Sequence, residues 1–235
     1  MPRLIILSGP SCVGKGPLLQ ALRRIYPEIA FGLTVRYTSR VPRPGEKDEV
    51  EFHFRSAKEI RALPAERFFV YPMRNQWQAL DLDEVESLLA THERVITELY
   101  PSVAFPLLED QRVRAMEAAG LEIRMVFLTP LTDEELAALA AHAPGRPLEE
   151  IVADLMRIKQ IGRALKQGKL LTATELEDIA IRAGHAYGEM QYAPSYSPVI
   201  VNHDGEDSDH WLLTPPIGDA GRTLRELAHI LGTER

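Results

Sequence analysis

One cysteine, Cys12, in 235 residues rules out an intrachain disulfide, so a hydrophobic core has to hold the fold together. That usage fits a reducing compartment, with the cytoplasm as the default location. Long apolar runs are missing at the N-terminus. Leu4–Leu7 stops after four residues at Ser8, far short of a secretory core or of the roughly 20 residues of a membrane span, so neither a targeting segment nor a membrane partner is expected. Positive charge is in deficit. The 27 Lys and Arg against 34 Asp and Glu leave a net charge of -7, and the cations are scattered, which argues against nucleic acid as a partner through general electrostatics while allowing a locally basic cleft. The seven histidines and single cysteine show no metal-ligand spacing, and no serine sits in a nucleophile-elbow pattern. There is no internal repeat or low-complexity block.

The composition does supply enough for one well-buried core with mobile appendages: 45% hydrophobic and 26% charged residues. Leu4–Leu7 is continuous rather than alternating, as in a strand covered on both faces of a parallel sheet. Leu18, Leu19, Leu22 and Ile25 then recur at helical spacing, predicting an amphipathic helix from about Lys15 to Tyr26, before Pro27. Short apolar runs predict further strands at Val95–Leu99, Ile123–Leu128 and Pro198–Val201, separated by stretches of helical periodicity. The alternation implies an α/β sandwich with a mostly parallel sheet. Thr34–Trp77, rich in Arg, Pro and charge, reads as an irregular or antiparallel lobe. Leu131–His142 and Leu148–Lys166 read as helices joined by a hinge at 143–147. Thr172–Gly188 reads as one helix with Thr174 as its possible cap, and Leu224–Leu231 as the last.

Gly9-Pro10-Ser11-Cys12-Val13-Gly14-Lys15 satisfies G-x-x-x-x-G-K between a buried strand and a helix, the context in which that pattern cradles phosphate. Successive backbone N–H groups form a nest, the helix N-terminus adds positive potential, and the Lys15 ammonium reaches the outer phosphates. The usual Ser or Thr after the lysine, a magnesium ligand, is replaced by Gly16, followed by Pro17. Pro17 lacks an N–H, although proline is sterically welcome in a first helical turn. Cys12 within the loop reads either as a reactive handle favoured by the helix N-terminus or as a small residue tolerated there.

Thr34 to Glu46 places Arg36, Arg40 and Arg43 within eight residues beside stiffening prolines. Arginine clamps phosphate through paired, charge-assisted hydrogen bonds; a solvated basic loop is the plainer alternative. The loop GPSCVGKG together with Thr38–Glu46, which matches T-[TS]-R-x-P-R-x-G-E, resembles the guanylate kinase family. The resemblance continues through Val50–Phe54 and, more loosely, Phe68–Tyr71, Val95–Leu99 and Tyr196–Asn202. It implies a P-loop kinase three-layer sandwich, with a core at 1–33, 86–132 and 184–235, an acceptor-binding lobe at 34–85, and a lid with helical extension at 133–183.

The same resemblance implies ATP as phosphate donor with Mg2+ and a small phosphorylated acceptor. ATP would lie on Gly9, Pro10, Ser11, Cys12, Val13, Gly14, Lys15 and Gly16, with Asn202 near the adenine. Arg40 and Arg43 would bind the acceptor's phosphate, and Thr34, Glu46 and Glu98 would lie on the acceptor side. Lid arginines would come from Arg146 and Arg157, with Arg163 and Lys166 as further cations or simply a solvated helix face.

Several positions depart from the family pattern. Phe52 stands where a tyrosine contacts acceptor phosphate, Val70 where a glutamate reads guanine, 74–78 where G-N-x-Y-G is usual, and Tyr100 where a second acid follows Glu98; Asp154 stands at an expected basic lid position. A valine in place of the base-reading carboxylate removes about 2 kcal/mol or more of discrimination. Three functions stay open on these residues: a GMP kinase, a kinase for another phosphorylated acceptor with Arg74, Asn75, Gln76 and Gln78 in its recognition set, or a weakly catalytic binding module.

Overall fold

The computed structural model describes residues 1–42 and 46–232. In chain order the elements are β1 (Arg3–Ser8), α1 (Lys15–Ile25), β2 (Gly32–Leu33), β3 (Tyr37–Thr38), β4 (His53–Phe54), α2 (Ala57–Arg61), β5 (Phe68–Met73), β6 (Gln76–Asp81), α3 (Leu82–Thr91) and β7 (Arg94–Glu98). They continue with α4 (Pro101–Leu108), α5 (Gln111–Ala118), β8 (Glu122–Thr129), α6 (Asp133–His142), α7 (Leu148–Lys166), α8 (Ala173–Gly184), α9 (Ala186–Met190), β9 (Val199–Val201) and α10 (Gly218–Gly232). The fold is α/β, with a five-stranded sheet in the order β2-β7-β1-β8-β9. Its pairings β2–β7 and β8–β9 are parallel.

The chain divides into two compact units, Met1–Ile6 with Ala30–Arg124, and Leu7–Ile29 with Met125–Arg235. In the first, a four-stranded sheet of order β4-β3-β6-β5 follows β2. β6 runs antiparallel to both β3 and β5, and β4 lies parallel to β3. The β5–β6 hairpin turns at Arg74 and Asn75, with Arg74 at φ 52°. Ile60 of α2 packs with Phe68 and Ala79, joined by the partly buried Tyr37, Leu63, Val70 and Trp77. In the second unit, Met156 and Val152 of α7 pack with Ala183 of α8, Ala186 and Met190 of α9, and Cys12.

The continuous apolar runs behave as buried strands do: every residue of β1 is buried. The Leu148–Lys166 helix has the predicted bounds. The segment from Thr172 differs in two respects. Its cap is Thr172, not Thr174: Thr172 Oγ1 accepts from Glu175 N at 3.3 Å while Glu175 Oε2 accepts from Thr172 N at 3.0 Å. Thr174 also has a carboxylate three residues on, Glu177, but Thr174 already lies inside the helix, which begins at Ala173, so it cannot stand at the cap. The helix also breaks at His185 into α8 and α9. β2 was not expected because two residues carry no periodicity; its pairing, Gly32 opposite Val95, depends on a strand more than 60 residues away. Gly32 permits the close passage of α3, since a Cβ there would stand 3.1 Å from Leu88.

Candidate functional site

In the second unit, β1 delivers the chain into a loop that turns back before α1. Gly9 and Gly14 have φ of 143° and 103°, and Cys12 has φ 71°. Glycine is required twice here: a Cβ on Gly9 would lie 2.3 Å from Leu128 O, and one on Gly14 would lie 2.6 Å from Asn202 Nδ2. Lys15 folds back over the loop, donating from Nζ to Gly9 O at 2.7 Å and Pro10 O at 3.0 Å. Unlike α2, α6 and α8, which carry capping boxes, α1 has no side-chain cap and no acid in its first turn. Its leading amides and dipole therefore meet no protein counter-charge from a cap or first-turn acid, as suits an anion. Pro17 sits in that first turn, and Leu18 N donates to Gly14 O at 3.0 Å.

Cys12 is buried, and its thiol is pushed up to about 12, first by burial and then by the charge of Glu206. Burial thus disfavours the thiolate, and the side chain packs as a small apolar group. The loop's outer carbonyls are held by the segment after β9. Asn202 is fully buried and donates from Nδ2 to Val13 O and to Asp204 O, both at 2.7 Å. Glu206 N donates to Cys12 O at 3.3 Å. Trp211 Nε1 caps the carbonyls of Asp204 at 2.7 Å and Gly205 at 3.0 Å. Of this brace only Asn202 was singled out from sequence, by resemblance and as a neighbour of the adenine; Glu206 and Trp211 gave no signal, since they lie about 190 residues from the loop.

On α7, Lys159 Nζ donates to His203 O at 2.6 Å, Arg163 pairs with Glu206, and Lys166 pairs with Asp209 at 2.6 Å. Arg163 and Lys166 are thus engaged with the 203–209 loop. Arg146 and Arg157 are half-exposed and both bind Asp154, at 2.7 and 2.6 Å. The hydrogen bond from Arg146, with the charges of both arginines, holds the Asp154 carboxyl below its usual range. His203 bridges Glu135, at 2.9 Å from Nε2, and Asp219.

In the first unit, Arg40 makes a two-pronged pair with Glu46, Nη1 to Oε2 at 2.6 Å and Nη2 to Oε1 at 2.7 Å. Nη1 also donates to Val41 O at 3.1 Å. Among the described residues this leaves the Nε–Nη2 edge for a second anion. The Arg40 guanidinium stacks 4.9 Å from the Phe52 ring centre and 5.3 Å from Phe54, and Arg36 lies 5.1 Å from the same Phe52 ring. Arg36 Nη1 and the fully buried Tyr71 hydroxyl both donate to Gln78 Oε1, at 3.4 and 3.1 Å. Burial raises the Tyr71 hydroxyl above its ordinary value. Gln78 and Arg36 were each singled out from sequence, in the recognition set and the arginine cluster, but their joining through Tyr71 was not.

Val70 lies on β5 opposite Ala79 and packs into the apolar cluster. Thr34 is buried and donates to Thr97 Oγ1 at 2.9 Å, and Glu98 ends β7, half-buried. Of the recognition set at 74–78, Arg74 stacks on Tyr100 at 4.7 Å. Arg43 lies outside the described residues.

A guanylate kinase family model matches residues 1–163. The chain belongs to the guanylate kinase family. It is accordingly an enzyme of the phosphate-transferring, nucleotide-binding P-loop class. Guanylate kinase 1 of Oryza sativa subsp. japonica is 31% identical over 155 residues, covering 65% of this chain and 38% of its own length, so this chain spans well under half of that relative. The guanylate kinase of Frankia casuarinae is 32% identical over 183 residues, covering 76% of this chain and 88% of its own length. A crystal structure of guanylate kinase from Anaplasma phagocytophilum superposes with a TM-score of 0.56 over 98% of this chain and 85% of its own, at 17% identity, a likeness of fold. Among the described residues no helix is long and apolar enough to cross a membrane, and no group of three or more His, Cys, Asp and Glu is placed to hold a metal ion.

Proposed function

We propose that this enzyme transfers the γ-phosphate of ATP to a nucleoside monophosphate such as GMP. The observation that carries the reading is the glycine loop, with Lys15 folded over an uncapped helix N-terminus, in a chain whose family is guanylate kinase. Lys15 leaves the carbonyls of Gly9 and Pro10 to meet the transferring phosphate, while the amides of 11–16 hold the phosphate next to it. Arg40, oriented by Glu46, offers its open edge to the acceptor's phosphate, with Arg43 beside it in the same motif. Thr34, Glu46, Val70 and Glu98 line the acceptor side. Arg146 and Arg157, both paired with Asp154, supply cations as phosphate charge develops. The lobe at 34–85 and the lid at 133–183 are the parts assigned to acceptor binding and closure, and the single cysteine suits work in the cytoplasm.

Magnesium enters with ATP as part of the substrate. Gly16 offers no hydroxyl at the position after Lys15, and a Cβ there would meet nothing within 4 Å; the loop side chains therefore do not form a resident metal site, and phosphate and water oxygens hold the ion. Positioning and charge stabilisation do most of the work in this reaction, so no general base is required.

A second reading keeps the donor and changes the acceptor. Val70 packed among apolar side chains and Phe52 without a hydroxyl, with two guanidinium groups close to its ring, favour it. Release of ADP from ATP against GMP, dGMP, AMP, CMP, UMP and simple sugar phosphates separates the two. GMP as the best acceptor supports the first reading, a strong response elsewhere the second, and no response to any acceptor removes both.

A further inference from the structure

The family match ends at residue 163, and the helices that follow have no role in the reading above. Their placement gives them one. Cys12 is a non-glycine residue held at φ 71° in the middle of the phosphate loop, a conformation that needs surrounding structure to maintain it. Its side chain is enclosed by Val152 and Met156 of α7, Ala183 of α8, and Ala186 and Met190 of α9. Its carbonyl is met by Glu206 N, and the carboxylate of the same Glu206 is gripped by Arg163 of α7. Both partners are largely buried, with side-chain exposures of 11% and 21%. The approach is tight on both sides: a Cβ on Gly205 would stand 2.4 Å from Cys12 O, and one on Gly162 would stand 3.3 Å from the Asp207 Cβ. Arg182 of α8, buried to 7% exposure and paired with Asp178, adds a second cation near Arg163 and Glu206.

We propose that Arg163, acting through Glu206, is a positioning residue for the donor-phosphate loop, and that the α8–α9 extension exists to bury and fix that brace. The inference rests on the reading of residues 9–16 as the ATP site. Arg163 touches no phosphate. It sets the 203–209 loop, which sets the Cys12 carbonyl and with it the direction of the amides that follow. A loop misplaced by a fraction of an ångström binds phosphate poorly, because its donors act together and fall off steeply with angle.

The test is calorimetric titration of the full chain with Mg·ADP, well below each variant's melting temperature, for wild type, Arg163→Met, Arg163→Lys and Glu206→Gln. Arg163→Met keeps most of the stem, and Glu206→Gln keeps the backbone donor and the side-chain volume. The expected result is an ADP Kd raised about tenfold in Arg163→Met and in Glu206→Gln, with Arg163→Lys recovering part of the loss, as for a second layer of contacts that orients the first. Should Arg163→Met fail to fold, Glu206→Gln decides alone. Wild-type binding with both variants within about twofold of it would overturn the inference and leave the donor-site reading standing. No ADP binding by wild type would instead remove the donor-site reading, and the inference with it.

Discussion

The phosphate loop and the 34–85 lobe treat their inherited motifs in opposite ways. Around the loop almost every backbone carbonyl that could wander has a partner: Val13 O has Asn202, Cys12 O has Glu206, and the carbonyls of Gly9 and Pro10 have Lys15. In the lobe the arginine of the motif is likewise held, by Glu46, but the neighbourhood proposed to read a base is apolar and cationic, with Val70 in a hydrophobic cluster and both Arg36 and Arg40 against the Phe52 ring. Binding a phosphate chain constrains backbone geometry, which tolerates few changes; recognising a base constrains a few side chains, which can be exchanged one at a time. On the proposed assignment, the acceptor side is where changed side chains bear most directly on the substrate.

The largest effect should come from the donor side. Lys15→Ala removes the ammonium folded over the loop, and ADP release should fall by about 100-fold or more; an assay showing full turnover would remove the donor assignment. Next, Arg40→Ala should raise the acceptor KM and lower kcat together, by about tenfold to 100-fold in kcat/KM, since the arginine's loss also leaves Glu46 facing an incoming anion. Unchanged kinetics would mean the lobe's motif arginine is only architectural.

Asn202→Ala sharpens the comparison further. It strips two buried hydrogen bonds from the loop's support, so about 1–3 kcal/mol of stability should go, read as a lower denaturant midpoint, with ADP affinity weakened and acceptor KM little changed. A comparable rise in acceptor KM would show that the two regions are not independently built.

The smallest effect concerns pH. Burial lowers the His203 pKa, but the hydrogen bonds and charges of Glu135 and Asp219 outweigh it and leave the imidazole above its usual 6.5. A raised folded-state value means that the protonated ring stabilises the fold fully below about pH 6.5, and that this contribution is lost as pH rises through the folded value. Melting temperature should therefore decline modestly with alkalinity in wild type relative to His203→Gln; parallel curves would show that the bridge contributes nothing.

Particular residues show how far the sequence could be read. Leu4–Leu7, the Leu18–Ile25 periodicity and the Leu148–Lys166 stripe announce their elements because burial on a sheet or along a helix imposes a local period. The glycine loop is legible for the same reason, since its φ angles demand glycine at fixed spacing. β2 and the split at His185 were not, because neither has a period of its own.

Arg163 shows the limit most clearly. On its helix it reads equally well as a lid cation or a solvated charge, and its partner lies 43 residues away. By itself, the sequence determined the α/β order, the phosphate loop and the arginine motif, all of them set by contacts between near neighbours. Tertiary structure alone decided which carbonyls the 202–206 segment holds, that Cys12 is buried, and that Val70 packs into an apolar cluster. Those outcomes depend on which distant groups share a desolvated space, and no local pattern encodes that.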